Sequence, residues 1–185
     1  MMVDIGVSLL AIRLFETEGL ALFFELLLPR AVGYLLWASS LTYLETHWGS
    51  LEFSSLQGAG RKYPGAAAGL IVAQMSVAGF PLLAGFPFRM FLIDRLASAN
   101  LIAAYAVVLG SLGLLVAGIR TLAVLVMLPE GQAKENSTTP KTIETIGWRL
   151  FWIGGIAFLV LMGLFPDWSG LWTGNMSMAF PMLLP

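Results

Sequence analysis

The sequence predicts an all-α, polytopic helical membrane protein of about five to six transmembrane helices, with a broken helix near residues 79–88. Three observations carry that prediction. Of the 185 residues, 58% are hydrophobic and 11% charged, less than half the roughly 25% charge of a soluble domain. Apolar runs approach or exceed the roughly 20 residues a spanning helix needs, and short polar stretches separate them. One apolar run, Ser76 to Met90, is interrupted by Gly79, Pro81, Gly85 and Pro87. No period of 20–50 residues recurs, so residues 1–185 read as a single membrane domain.

Taken in order, residues 3–14 are apolar but short, and Glu16-Thr17-Glu18-Gly19 stops them. They read as an interfacial turn of helix or the end of a longer span. Leu20 to Tyr43 is long enough to cross, and places Glu25 and Arg30 near one membrane edge or on a charged axis. Thr46 to Pro64 is polar and Gly-rich, a loop or surface helix. Residues 65–80 begin a span that the Gly79–Pro81 break ends early, and a further helix runs from about Phe88 to Ala97. Leu101 to Met127 is the clearest span, free of charge until Arg120. Residues 129–146 form a polar linker around Glu130, Lys134, Glu135, Lys141 and Glu144. Trp148 to Phe165 is the last span, with Trp148, Trp152, Trp168 and Trp172 bracketing it as interfacial aromatics. Positive charge is divided between Arg61-Lys62 and the linker lysines, so the charge rule leaves orientation open.

Composition also excludes several function classes. No cysteine is present, which removes disulfides, thiolate metal sites and thiol nucleophiles. The single histidine, His47, lies between Thr46 and Trp48; it makes neither a catalytic triad nor a metal cluster, and is assigned no role. A formal net charge of -1 offers no basic face for nucleic acid. Met-Met-Val-Asp-Ile-Gly has no basic n-region, so no cleaved signal peptide is expected. Asn136-Ser137-Thr138 fits a glycosylation pattern that short matches often meet by chance. No cofactor, metal site or catalytic constellation is expected, and no redox chemistry in this chain.

The broken run is the most informative stretch. Prolines remove ladder hydrogen bonds that lipid cannot replace. Such breaks persist at membrane depth inside protein or beside a watery cavity, and they mark ion and substrate sites in transporters. Arg89 follows directly, and an intramembrane arginine is a functional candidate by default.

At this point the sequence resembles a family. Leu56-Gln57-Gly58-Ala59-Gly60-Arg61-Lys62-Tyr63-Pro64 resembles the "gly-leu-x-arg-x-x-pro" segment of the antiporter-like proton-translocating subunits of respiratory complex I. Met75 to Phe86 is similar to that family's "leu-ser-leu-ala-gly-ile-pro-pro-x-x-gly-phe", with the N-type (subunit 2) chain nearest in flavour. A long helix ending in Arg120, a polar linker, a final helix and the Gly163-Leu164-Phe165-Pro166 exit follow in the same order. Val32 to Ser40 is a looser match upstream. The resemblance covers about residues 28–168, the C-terminal repeat and last helix of such a subunit. Family members carry two inverted five-helix repeats, and the N-terminal repeat with its glutamate–lysine pair has no counterpart here. Where the family has "x-gly-lys-phe", this chain has Pro87-Phe88-Arg89-Met90, and Leu82 replaces the second proline. Arginine keeps the charge but does not readily release a proton.

The resemblance implies proton-path candidates at Arg89, Asp94, Arg120, Gln74 and Ser76, each with a plainer reading beside it. Arg89 is a relay or gating charge, or a structural cation paired with Asp94. Asp94 and Arg95 otherwise form a solvated helix end, and Arg120 lies on a lateral polar path or snorkels to a headgroup. Gln74 and Ser76 serve freed carbonyls or water, or act as ordinary helix–helix glue. Gly65-Ala66-Ala67-Ala68-Gly69 predicts close packing against a neighbouring helix, in a larger assembly.

The implied role is a split or truncated subunit of a complex I-like NADH:quinone oxidoreductase, in a bacterial plasma membrane or an organellar inner membrane. Its partners would be other membrane-arm chains, one of them supplying the missing repeat, and the lipid bilayer. Two alternatives stand beside it: an accessory subunit without transport, and a component of a multisubunit cation/proton antiporter.

Overall fold

The computed structural model describes residues 6, 18–50, 52–53, 55–127 and 145–166, with side chains of the first helix from Leu27 onward. The described residues are all-α and form six helices. These are α1 (Glu18–Trp48), α2 (Ala59–Lys62), α3 (Pro64–Ala78), α4 (Gly85–Ala99), α5 (Leu101–Val126) and α6 (Ile146–Leu164). The expected helix over residues 3–14, most of the 129–146 linker, and Trp168 and Trp172 lie outside the described residues.

The centre of the bundle is α3, because its side chains are small. Ala66, Ala67, Gly69, Leu70, Ala73, Ser76 and Ala78 are all buried. Without a strong hydrophobic drive between helices in lipid, close backbone approach and van der Waals contact hold a bundle together. Gly69 shows the approach directly: an added Cβ would lie 2.7 Å from Ser40 Oγ on α1 and 2.9 Å from Trp152 Cδ1 on α6. The small-residue run therefore packs against helices of this same chain.

Contacts along the helices set their directions. Gly33 faces Val77 while Ser40 faces Gly69, so α1 runs antiparallel to α3. Gly60 abuts the Leu125 carbonyl, Gly118 receives the Met75 side chain, and Arg89 bonds Ser111. A second core cluster joins Leu92 and Leu96 to Ala104 and Val107. Read in sequence, these pairs make α3, the break and α4 one interrupted helix that α5 follows in reverse, from end to end. Asn100 makes the turn between them, its Oδ1 accepting from the N–H groups of Ile102 and Ala103 at 3.1 and 3.2 Å.

Among the described residues two helices, α5 with 26 residues and α6 with 19, are long and apolar enough to cross a membrane, and only 17% of their most apolar stretches is buried within the chain. That is fewer than the five to six spans expected from the sequence. α1 has 31 residues, and its side chains before Leu27 are not described. Each half of the interrupted helix has 15 residues, about 22 Å of rise against a hydrocarbon core of roughly 30 Å.

Several boundaries shift. α1 continues to Trp48, five residues beyond the expected end. The stretch after it is not a free loop: Leu56, Ala59 and Tyr63 are core residues. α4 begins at Gly85, so Pro87 sits in its first turn, where a missing N–H leaves no partner stranded. The break proper is therefore Gly79–Ala84, and Pro87 belongs to the helix after it.

Candidate functional site

The break between α3 and α4 is built from backbone groups that the helix ends release. Gly79 adopts φ 81 and ψ 41, a left-handed conformation that glycine reaches without a Cβ penalty. Its N–H donates to the Ser76 carbonyl at 3.1 Å, and the Phe80 N–H donates to the Met75 carbonyl at 2.9 Å. This pairing is the Schellman arrangement, and it satisfies two of the four carbonyls that α3 leaves without intrahelical partners.

A third, Val77 O, accepts from the guanidinium of Arg89. The same group donates to Ser111 Oγ on α5, and that hydroxyl donates in turn to Val107 O at 2.8 Å. Arg89 is only 5% exposed. Its stem lies where a Gly79 side chain would be, with Cδ 2.4 Å from the position of an added Cβ. A cation beside the last carbonyls of α3 is also favoured by the helix dipole. Arg89 thus ties three elements together: the end of α3, the start of α4, and the middle of α5.

Close approach carries the rest of the turn. A Cβ on Gly85 would lie 1.9 Å from the Ser76 carbonyl oxygen, and one on Gly163 of α6 would lie 2.4 Å from the Leu82 carbonyl oxygen. Leu82 has φ 74, a conformation uncommon for a residue with a branched side chain. It is also 62% exposed, so the backbone strain is not repaid by burial of its own side chain. Pro81 is exposed and lies within the same turn.

The other predicted residues divide. Ser76 is buried at the break, and Gln74 is half-buried beside Gly118 of α5. Asp94 is exposed five residues along α4, while Arg89 turns inward to Val77 and Ser111. Arg120 is exposed near the end of α5, its guanidinium 5.4 Å from the Phe53 ring centroid. It sits at the bundle end, away from the break. Glu25 falls among side chains that are not described, and Arg30 is half-buried.

Two features escape sequence reasoning. Ser111 is the single serine of an apolar helix, and its only signal is its place between Gly110 and Leu112. The second is an aromatic cluster. The Tyr43 ring lies 4.9 Å from Trp152, 5.6 Å from Trp148, 5.7 Å from Tyr63, and stacks on His47 at 4.1 Å. Trp152 is 1% exposed, so it is a packing residue of the core and not an interfacial ring as its sequence position suggests.

Chemically, the break holds a fixed positive charge among carbonyls and a hydroxyl. Arginine remains protonated across ordinary pH, so Arg89 supplies a fixed charge at the break. Among the described residues no group of three metal-ligating side chains occurs. No protein-family model matches the sequence, and no curated protein matches it significantly.

Proposed function

We propose that this chain is a membrane-arm subunit of a complex I-like NADH:quinone oxidoreductase, a split or truncated antiporter-like chain that contributes to or supports proton translocation. One observation carries the reading. An interrupted helix lies against an intact apolar helix, and a buried arginine occupies the interruption. Broken helices with buried charge are the architecture of ion sites in membranes. The order of motifs around the break supports the family, and that support rests on the residues themselves. In this reading the chain does no redox chemistry; Arg89 sets the local potential, and protons move on neighbouring groups or water.

The test has two parts. Purified in mild detergent, the chain is expected to bring other membrane-arm subunits with it; recovery as an isolated monomer counts against the proposal. In inside-out vesicles energised by electron transfer, Arg89→Ala is expected to lower proton pumping while the assembly stays intact.

A second reading has its own supporting observation. The Arg89 bonds to Val77 O and Ser111 Oγ brace the fold, as they would in an accessory subunit that seals the membrane arm without moving ions. Full pumping in an assembled Arg89→Ala complex selects that reading.

A further inference from the structure

Among the described residues, two buried side-chain polar atoms have no hydrogen-bond partner: Ser40 Oγ of α1 and Trp152 Nε1 of α6. They lie at one place. An added Cβ on Gly69 of α3 would lie 2.7 Å from Ser40 Oγ and 2.9 Å from Trp152 Cδ1, the ring carbon bonded to Nε1. Both groups therefore border the same small space, the side of Gly69 on which a side chain would stand. Ser40 is 0% exposed and Trp152 1%, so bulk solvent reaches neither.

The usual local refuge for a helical serine is the carbonyl four residues back. Here that carbonyl is Leu36 O, and it already accepts from Ser39 Oγ at 3.0 Å as well as from the helix ladder. The indole of Trp152 is held in place on two sides. Tyr43 meets it edge-on at 4.9 Å and 85°, and Trp148 stacks on it at 5.6 Å and 27°. Buried indole N–H and hydroxyl groups are bonded in nearly all proteins, to protein or to ordered water. An indole N–H only donates, whereas a hydroxyl donates or accepts. The missing partner must accept from the first, bond the second, and fit where glycine leaves out a side chain.

We propose that the α1–α3–α6 crossing is an internal water site: one ordered water accepts from Trp152 Nε1–H and donates to Ser40 Oγ beside Gly69. Two to four polar partners are what a buried water needs, and a water-mediated bond is nearly as favourable as a direct one. The bridge joins α1 to α6 across the face of α3. Gly69 then has two effects, close helix approach and room for the water. The site is independent of the proposed subunit role and of whether any helix crosses a bilayer.

In a structure of the full chain at a resolution that places waters, one water is expected within about 3.2 Å of both Ser40 Oγ and Trp152 Nε1. Direct contact between the two atoms overturns the proposal, and so does a site without density. A second measurement uses the isotope-labelled chain in mild detergent, where the Trp152 indole proton is identified by its disappearance in Trp152→Phe. In the wild-type chain this proton is expected to give a nuclear Overhauser cross-peak to water, with the sign of a long-lived bound molecule. In Ser40→Ala the cross-peak is expected to vanish and the indole proton to shift upfield, as its acceptor leaves. A wild-type proton without the cross-peak overturns the water site, and an unshifted proton in Ser40→Ala overturns the bridge.

Discussion

The two ends of α3 are held by different physics. At its start, rings pack on rings: Tyr43, Tyr63, Trp148 and Trp152 interlock, and polar contacts sit at the edge. At its finish, Leu83 and Phe88 are buried beside the turn, and the released carbonyls are satisfied by Gly79, Phe80 and Arg89. Ring packing tolerates change in proportion to the atoms removed. A backbone turn cradled by glycines tolerates very little addition, since the atoms it meets are carbonyls that cannot rotate away.

Four substitutions sharpen that contrast. The largest effect belongs to the aromatic end: Trp152→Ala removes a fully buried ring and is expected to cost about 3–5 kcal/mol. The measurement is the unfolding midpoint in detergent, and Trp152→Phe is expected to recover most of it. Next comes Gly85→Ala at the break. A single methyl group 1.9 Å from the Ser76 carbonyl oxygen forces backbone movement, expected near about 3 kcal/mol at the upper end of overpacking costs. A wild-type midpoint there would refute the described turn.

Arg89→Ala follows at about 1–3 kcal/mol, because Val77 O loses a charged donor in a buried site. Arg89→Lys is expected to recover only part of that, since one ammonium does not reproduce a planar fork reaching two helices. Full recovery by lysine would show that charge alone matters at the break. The smallest effect is expected from Ser40→Ala. Ser40 Oγ is fully buried and bonds no protein group. Removing such a hydroxyl is close to neutral, within about 1 kcal/mol, since a released water regains its freedom. A clear loss of stability would reveal a protein partner for it at the α1–α3–α6 crossing.

The break was legible in the sequence because it is written in local chemistry. Pro81 and the paired glycines announce a helix interruption wherever the chain goes. Its limits were less legible, since Pro87 reads as a breaker but lies harmlessly in a first helical turn. Arg89 was identifiable as unusual, and Asp94 looked like its partner by proximity along the chain. Ser111, 22 residues distant, accepts the bond instead. The aromatic cluster was invisible for the same reason: Tyr43, Tyr63 and Trp152 come from three separate segments.

Composition and hydrophobic run length by themselves determined the all-α class, the two long apolar helices α5 and α6, and the place where a helix must stop. Those properties depend on backbone hydrogen bonding and transfer energies that each segment carries with it. Tertiary structure alone decided that the two halves of the broken helix share α5 as a common neighbour. It also decided that Trp152 is core and that Arg89 caps α3. Each of these depends on groups that approach only after the chain has turned back on itself, and no local pattern encodes which distant group will arrive.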